Sequence, residues 1–323
     1  MRSYLKDLII LLDDTSTSYC HYNNGKEKIR LISLDNLQAG IIFAMKHNLG
    51  IRFVYPPYEI PRKYKDAIET TKHIKLMPSD LYENSLADVM IFNSYEEFSA
   101  KEKEEIKNKI IVLRISNKDI ANRVSTSYRI SVFKYINRLN IFIKDIETFT
   151  EKDIETYKQW LSELSVAVLK KYSKGKTFKI NIITDRLMLE KMSNCNAGVE
   201  NITLAPNGRL YICPAFYYEN EKDDIGNLKE GINIKDQQLY KLEFAPICSK
   251  CGAFHCKRCV WLNRKTTLEV NTPSREQCLV AHLELNASEI LLKELKQAGY
   301  FKDKTISSIN YLDPSGLITP TQS

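Results

Sequence analysis

The stretch LIILLDDTSTSYCHY occupies residues 8–22. Its first five residues are apolar and mostly branched, which predicts a buried strand over 8–12. Asp13 and Asp14 end this run, and a polar loop over 13–28 follows. Ligands of parallel α/β folds bind where strands end. Asp13 and Asp14 are therefore candidates for binding a substrate amine or a metal, although solvated loop carboxylates are the favoured interpretation.

The same loop contains Cys20, which is followed directly by His21. A cysteine beside a histidine is a candidate nucleophile with its base. Adjacent side chains rarely point at each other, however, and no third group that would orient the histidine can be named. An ordinary loop cysteine is the favoured interpretation, and Cys20 stays a catalytic candidate.

Apolar, β-branched runs alternate with helix-like segments through the first half of the chain. The predicted strands are 8–12, 51–55, 88–92, 110–115, 140–144 and 178–184. The predicted helices are 34–45 after Ser33, 95–109, 118–138, and a helix that Thr150 and Asp153 cap and Gly175 ends. About six β/α units predict a parallel sheet that is either open or curled into a partial (β/α)6 barrel.

The character of the sequence changes near residue 186, where cysteines, aromatic residues and turn residues replace the helical periodicity. Asn207 and Gly208 predict the tight turn of a β-hairpin. Asn286 is a predicted N-cap for a last helix that Gly299 closes. We therefore expect an α/β domain over 1–185, a metal-binding domain over 186–285, and a C-terminal helix and tail over 286–323.

The composition excludes several classes of protein. The 323 residues carry a net charge of +7 and a mean hydropathy of −0.33. No apolar run approaches the ~20 residues that a membrane helix needs, and no signal peptide is recognised. The basic residues form no stripe or block. We expect a cytoplasmic protein with no membrane partner and no nucleic-acid partner.

Seven of the eight cysteines lie in roughly the last 40 % of the chain. They are Cys195, Cys213, Cys248, Cys251, Cys256, Cys259 and Cys278. In a cytosolic protein such clustering indicates metal binding rather than disulfides. The central four follow the spacing C-x2-C-x4-C-x2-C, and no carboxylate lies between residues 244 and 268.

Two kinds of metal centre fit this spacing. A zinc site usually separates two C-x2-C pairs by a longer insert and takes four ligands, for which seven thiolates are an awkward number. Dense runs of cysteines are typical of iron–sulfur proteins, and seven thiolates come close to the roughly eight that two [4Fe–4S] clusters need. Iron–sulfur clusters are favoured, and zinc is the alternative.

The pattern Cys195-x12-Gly208-x4-Cys213, a gap, the central run and then Cys278 resembles a SPASM domain. SPASM domains are the C-terminal auxiliary-cluster modules of radical SAM enzymes that modify peptides. The resemblance implies a first cluster on Cys195, Cys213 and Cys259. It implies a second cluster on Cys248, Cys251, Cys256 and Cys278. The central run is shorter than the family's usual x2, x5, x3 spacing, and the fourth ligand of the first cluster is either absent or a side chain such as His255.

Other residues near these cysteines allow two interpretations each. His282 follows Cys278 by four residues, so it either donates a hydrogen bond to a cluster thiolate or lies on a helix surface. The aromatic residues Phe216, Tyr217, Tyr218 and Trp261 either grip a peptide or surround a small metal core.

Radical SAM enzymes carry a C-x3-C-x2-C triad in the loop after the first barrel strand, where three thiolates leave one iron open for S-adenosylmethionine (AdoMet). Here that loop contains Cys20 alone, and no other cysteine precedes Cys195. Tyr55, Pro56 and Pro57 stand where the family has a segment of the Gly-Gly-Glu type. The resemblance therefore implies a radical-SAM-like barrel without its radical-generating site, which is not expected to cleave AdoMet.

Most of the chain resembles the CXXX repeat peptide maturases, which are encoded beside a true radical SAM maturase. Residues 8–22, 34–56 and 254–263 carry this resemblance. It implies a role in making a ribosomally synthesised, post-translationally modified peptide. The implied partners are the precursor peptide and a radical SAM maturase.

Three functions follow from these interpretations. The favoured one is an accessory protein that binds auxiliary clusters together with the precursor peptide or the partner maturase. The second is a peptide-modifying enzyme that uses the open iron of an auxiliary cluster or Cys20. The third is a zinc-stapled binding module with no redox role.

Overall fold

The computed structural model describes residues 5–81, 84–122, 135–189, 194–253 and 255–306. The chain divides into two compact units, each built from two separate segments. The first unit comprises Met1–Phe92 and Asn196–Lys241, and the second comprises Asn93–Cys195 and Leu242–Ser323. The predicted domain boundaries after residues 185 and 285 stay predictions. No helix within the described ranges has the length and apolar character that crossing a membrane requires.

Strands and helices alternate along the described chain. The strands are β1 (Asp7–Leu11), β2 (Gly50–Val54), β3 (Ile74–Pro78), β4 (Val89–Phe92), β5 (Ile110–Ile115), β6 (Arg138–Ile143), β7 (Asn201–Leu204), β8 (Leu210–Tyr211), β9 (Gly226–Asn227) and β10 (Gly231–Ile232). The helices are α1 (Leu34–Lys46), α2 (Arg62–Ile68), α3 (Tyr95–Ala100), α4 (Lys103–Ile106), α5 (Asn117–Ala121), α6 (Glu151–Tyr172), α7 (Asp185–Met188), α8 (Pro214–Glu219), α9 (Val260–Thr267) and α10 (Arg275–Gln297).

The first unit is built on a sheet with the strand order β4-β3-β2-β1-β7-β8. Strand β1 pairs in parallel with both β2 and β7, so that Ile9 lies opposite Arg52 and Thr203. Leu8 and Leu11 are fully buried, because a parallel strand covered on both faces keeps every side chain away from water. The predicted strand over 8–12 and the predicted α/β class with parallel strands are confirmed.

Helix α1 packs closely on this sheet. The Ser33 side chain accepts a hydrogen bond from the backbone N–H of Asn36, as predicted for an N-cap. A Cβ atom at Gly40 would lie only 2.6 Å from Cδ2 of Leu204, so a larger residue would have to displace this buried side chain.

The predicted β-hairpin is confirmed by the antiparallel pairing of β7 with β8. Gly208 adopts a φ of +77°, which few residues other than glycine adopt easily. The backbone N–H of Gly208 donates to the carbonyl of Ala205, and the Asn207 side chain accepts from the N–H of Arg209. This turn brings the chain to Cys213 and α8.

In the second unit, β5 and β6 form a parallel pair in register from Ile110–Arg138 to Ile115–Ile143. The two long helices α6 and α10 pack against each other. Both begin at a capping box, formed by Thr150 with Asp153 in α6 and by Ser274 with Gln277 in α10. Because Ser274 caps α10, the helix starts at residue 275, and the prediction that Asn286 caps it was wrong.

The prediction of a strand over 178–184 was also wrong. Only Ile180 forms an isolated bridge, with Leu139, and turns follow it. The Asn181 side chain accepts a hydrogen bond from the N–H of Ile141 and donates one to the carbonyl of Ile141. The Thr184 hydroxyl accepts a hydrogen bond from the N–H of Ile180. Side chains thus replace the partners that would have continued the ladder.

Two helix predictions need adjustment. The predicted helix over 95–109 is divided into α3 and α4, because the extended backbone of Lys101 and Glu102 separates them. Of the predicted helix over 118–138, α5 ends at Ala121, residues 123–134 lie outside the described chain, and Arg138 begins β6.

Candidate metal centre

The central cysteine run folds into tight turns in the second unit. Cys248 begins a single turn of 3₁₀ helix, and the backbone N–H of Cys251 donates to the carbonyl of Cys248. His255 and Arg258 adopt φ values of +60° and +44°, a region that non-glycine residues seldom enter. Cys259 then caps α9. One of these left-handed residues, His255, lies within the x4 spacing, and the other, Arg258, lies between Cys256 and Cys259.

Four thiols of this unit line one cavity with a volume of about 50 Å³. They belong to Cys248, Cys251, Cys256 and Cys278. Cys278 reaches the cavity from the first turn of α10, about 20 residues after the run. The four cysteines implied to share the second cluster are therefore the four that share this space, which we call the thiol cavity.

Burial keeps the thiols of Cys248 and Cys256 protonated when no metal is bound. It raises the pKa of Cys248 to about 12, and the neighbouring Cys256 adds to this rise. It raises the pKa of Cys256 to about 11. Metal binding removes such protons because a metal–thiolate bond offsets the cost of the buried charge.

A buried cation lies among these thiols. Arg258 is 5 % exposed, and burial lowers the pKa of its guanidinium group. The thiols that oppose this shift by favouring the charged form are those of Cys248, Cys195, Cys256 and Cys259. A guanidinium surrounded by thiols is suited to balance the negative charge of a thiolate-bound metal centre.

The donor set fits an iron–sulfur cluster in its chemistry. Within the described residues, no three histidine, cysteine, aspartate or glutamate side chains are close enough to hold one metal ion. Each iron of a [4Fe–4S] cluster takes its own thiolate, so cluster ligands do not need to converge on a single point. Soft thiolate donors select iron–sulfur clusters or zinc over magnesium or calcium.

The three cysteines implied for the first cluster are placed differently. Cys195 is exposed, and its N–H donates to the carbonyl of Lys257. Cys259 is half-buried at the start of α9. Cys213 belongs to the first unit, where it precedes α8. The structure thus brings Cys195 and Cys259 to Arg258, whereas Cys213 lies in a separate unit.

His255, the suggested fourth ligand of the first cluster, is 4 % exposed. Burial, together with the nearby cations Arg186 and Lys257, lowers the pKa of its imidazole to about 4. The ring is therefore neutral at neutral pH, which is the form that binds metals.

A charged network lies in the core of the same unit. Arg186 has a fully buried side chain that donates to the carbonyl of Ile182 and lies 3.7 Å from Oε2 of Glu284. The Tyr157 hydroxyl donates to Oε1 of Glu284 at 2.9 Å. Burial raises the pKa of Glu284, and Arg186 opposes this rise.

The loop after β1, residues 13–28, differs from the thiol cavity. Asp13 and Asp14 are 0 % and 4 % exposed, so the favoured interpretation that they are solvated loop carboxylates was wrong. Asp14 accepts hydrogen bonds from Arg30 and from the Tyr217 hydroxyl. Arg30 also donates to Glu221 at 2.8 Å. The charge of Asp14 is thus balanced by this chain's own cation.

Asp13 is held by its own turn. Its Oδ1 accepts from the backbone N–H and the hydroxyl of Thr15, at 2.8 and 2.6 Å. The Tyr58 hydroxyl faces the Asp13 carboxylate, and its pKa is raised by burial and then by Asp13.

Aromatic and polar side chains fill the rest of the β1 loop. Tyr22 stacks on Tyr218 with ring centroids 5.5 Å apart, and the Tyr218 hydroxyl donates to the carbonyl of Ser16. The Asn24 side chain donates to the carbonyl of Ser16 as well. Cys20 is half-buried in this loop and is its single cysteine.

Sequence reasoning missed the partners Arg30 and Glu221 of this loop. Glu221 lies 191 residues after Arg30, so spacing gives no sign of their pairing. The one available signal was the aromatic pair Tyr217 and Tyr218, which follows Cys213 and Pro214. That pair packs around the β1 loop.

Solved structures share the fold of this chain. No protein-family model matches the chain, and no curated protein matches it. Native anSMEcpe with bound AdoMet matches with a TM-score of 0.59 at 14 % identity, over 90 % of this chain and 100 % of that one. Native anSMEcpe with bound AdoMet and Cp18Cys peptide matches with a TM-score of 0.58 at 14 % identity, over 91 % and 99 %.

A weaker match is Streptococcus suis SuiB bound to the precursor peptide SuiA. Its TM-score is 0.37 at 13 % identity, over 74 % of this chain and 65 % of that one, which is too low to support an argument. The likeness to anSMEcpe extends over nearly the whole of both chains. The chain therefore has the α/β fold of anSMEcpe, together with a cysteine-rich C-terminal region.

Proposed function

We propose that this protein is an accessory factor in the maturation of a ribosomally synthesised peptide, that it binds iron–sulfur clusters, and that it does not itself cleave AdoMet. The observation that carries the proposal is the contrast between the thiol cavity, with its four cysteines, and the β1 loop, with one. The fold shared with anSMEcpe, a protein seen with both AdoMet and a peptide, supports a peptide ligand.

The cavity residues Cys248, Cys251, Cys256 and Cys278 would hold one [4Fe–4S] cluster. The resemblance assigns the other cluster to Cys195, Cys213 and Cys259; of these, Cys195 and Cys259 belong to the second unit, as does the candidate fourth ligand His255. Bound clusters would supply one-electron transfer and would restrain the loops whose cysteines ligate them. Arg258 contributes a fixed positive charge that offsets the charge of the bound clusters.

The precursor peptide would bind at the carboxyl end of β1, where parallel α/β folds bind ligands. A cleft of about 620 Å³ opens there in the first unit. Its lining includes the exposed Ile29 and carries both signs of charge, on Asp14, Lys26, Glu27, Lys28, Arg30 and Glu221. Such a lining is suited to an extended peptide with charged side chains.

Peptide binding is tested by reversing one charge of this cleft. Lys28→Glu is expected to change precursor binding by about two- to fivefold at low salt, because exposed charge pairs contribute less than about 1 kcal/mol each. Lys46→Glu, at an exposed position of α1, is the matched control and should bind like wild type. Equal affinity of all three proteins, measured by fluorescence anisotropy with labelled peptide, would remove the cleft from the proposal.

The accessory role is tested by coexpressing the precursor with its radical SAM maturase, with and without this protein. Modification of the precursor should fall when this protein is omitted. It should be restored when the Cys20→Ala variant is coexpressed in place of the wild-type protein. Loss of modification with Cys20→Ala, while the folded protein still binds peptide, would instead support direct chemistry at Cys20.

A further inference from the structure

His282 lies at the mouth of the thiol cavity. It follows Cys278 by one helical turn on α10, and both residues line the cavity. Its Nε2 is 3.5 Å from Sγ of Cys251, which is within hydrogen-bond range for sulfur. The side chain of His282 is exposed. The packing of α10 therefore does not depend on it.

The Cys251 sulfur also accepts a hydrogen bond from the backbone, and once the sulfur is a thiolate with no proton of its own, the Nε2–H of His282 is the donor of the other contact. The backbone N–H of Ala253 points at the same atom from 3.4 Å. Two N–H groups on one sulfur stabilise negative charge on that sulfur, whether the charge comes from the thiolate or from an added electron shared with bound iron.

We propose that His282 is a positioning residue for the metal centre, which donates a hydrogen bond to the Cys251 ligand and thereby raises the reduction potential of the cluster in the thiol cavity. This inference rests on the proposed function, since it requires a cluster bound through Cys251. Hydrogen bonds to cluster sulfurs stabilise the reduced form more than the oxidised form, because the reduced form carries more negative charge.

The test is a redox titration of the anaerobically reconstituted full-length protein, followed by electron paramagnetic resonance. His282→Ala should lower the midpoint potential of one cluster and leave iron and sulfide content unchanged. His282→Gln, which keeps an N–H donor, should restore part of the lost potential. Glu289→Ala, at an exposed position of the same helix, is the control and should titrate like wild type.

Two results with reconstituted protein would overturn the inference. An unchanged midpoint potential in His282→Ala would show that the histidine does not influence the cluster. Loss of iron in His282→Ala would make it a ligand rather than a donor to a ligand. If wild-type protein takes up no iron and sulfide at all, the proposed function fails as well, and that outcome is recognised before any variant is compared.

Discussion

The β1 loop and the thiol cavity both place ionisable groups in a buried setting, but they balance charge in different ways. In the β1 loop, Asp14 is paired with Arg30 and with the Tyr217 hydroxyl. In the thiol cavity, burial holds Cys248 and Cys256 in the neutral form while Arg258 lies beside them. The first region is balanced by its own residues, whereas the second has the composition of a site completed by an added metal centre.

The largest expected effect tests the thiol cavity directly. Cys256→Ser should remove about half of the bound iron from the reconstituted protein, because one of two clusters loses a ligand. Cys20→Ser is the matched control and should keep all of it, since Cys20 belongs to the β1 loop. Equal iron contents in the two variants, measured with a colorimetric iron assay, would break the contrast between the regions.

A second prediction concerns the charged core of the cavity's unit. Arg186→Met should lower the free energy of unfolding by about 3 kcal/mol, because it leaves Glu284 buried without its cation. Adding Glu284→Gln should recover part of the loss. Urea denaturation followed by circular dichroism measures both variants, and a double variant no more stable than Arg186→Met would argue against the pairing.

A smaller loss of stability is expected in the β1 loop, where the charge of Asp14 is paired with Arg30. Asp14→Asn should cost about 1–3 kcal/mol of unfolding free energy, since Arg30 and Tyr217 lose a charged acceptor. Glu27→Gln, at an exposed position of the same loop, should change stability by less than about 0.5 kcal/mol. If both substitutions cost the same, burial of Asp14 would not explain the role of its charge.

The smallest expected effect concerns the start of α6, outside both regions, and gives a baseline for the changes in stability predicted above. A hydrogen bond from Thr150 lowers the pKa of Asp153 in the capping box of α6. A lowered carboxyl pKa stabilises the fold above the group's ordinary pKa of about 3.9, and this contribution is lost as the pH falls through the lowered value. The stability advantage of wild type over Asp153→Asn should therefore shrink between about pH 6 and about pH 3 in thermal melts.

Local patterns predicted local structure well. The capping residues Ser33 and Thr150 and the turn at Asn207 and Gly208 each act through neighbours a few residues away, and each prediction is confirmed. Strand β3 was missed because its sequence, IKLMP, is short and contains a lysine and a proline. The strand predicted over 178–184 was wrong because the side chain of Asn181 took over the hydrogen bonds of a ladder.

The candidate site was less accessible to sequence reasoning. Spacing pointed to the cysteines of the central run, since a dense run is itself the signal. It could not show that Arg258 lies among four thiols, or that Arg30 joins Asp14 to Glu221. The approach of Cys195 to Arg258 and the pairing of Arg30 with Glu221 join segments far apart in the sequence, which no local pattern records.

The central claim is that the cysteines hold inorganic clusters while the β1 loop cannot start radical chemistry. One anaerobic experiment on the reconstituted wild-type protein tests both halves, by assaying iron and sulfide together with reductive cleavage of AdoMet under dithionite. The account predicts about eight iron atoms per chain, matching sulfide and no cleavage of AdoMet. Colourless protein that carries zinc would contradict the first half, and turnover of AdoMet would contradict the second.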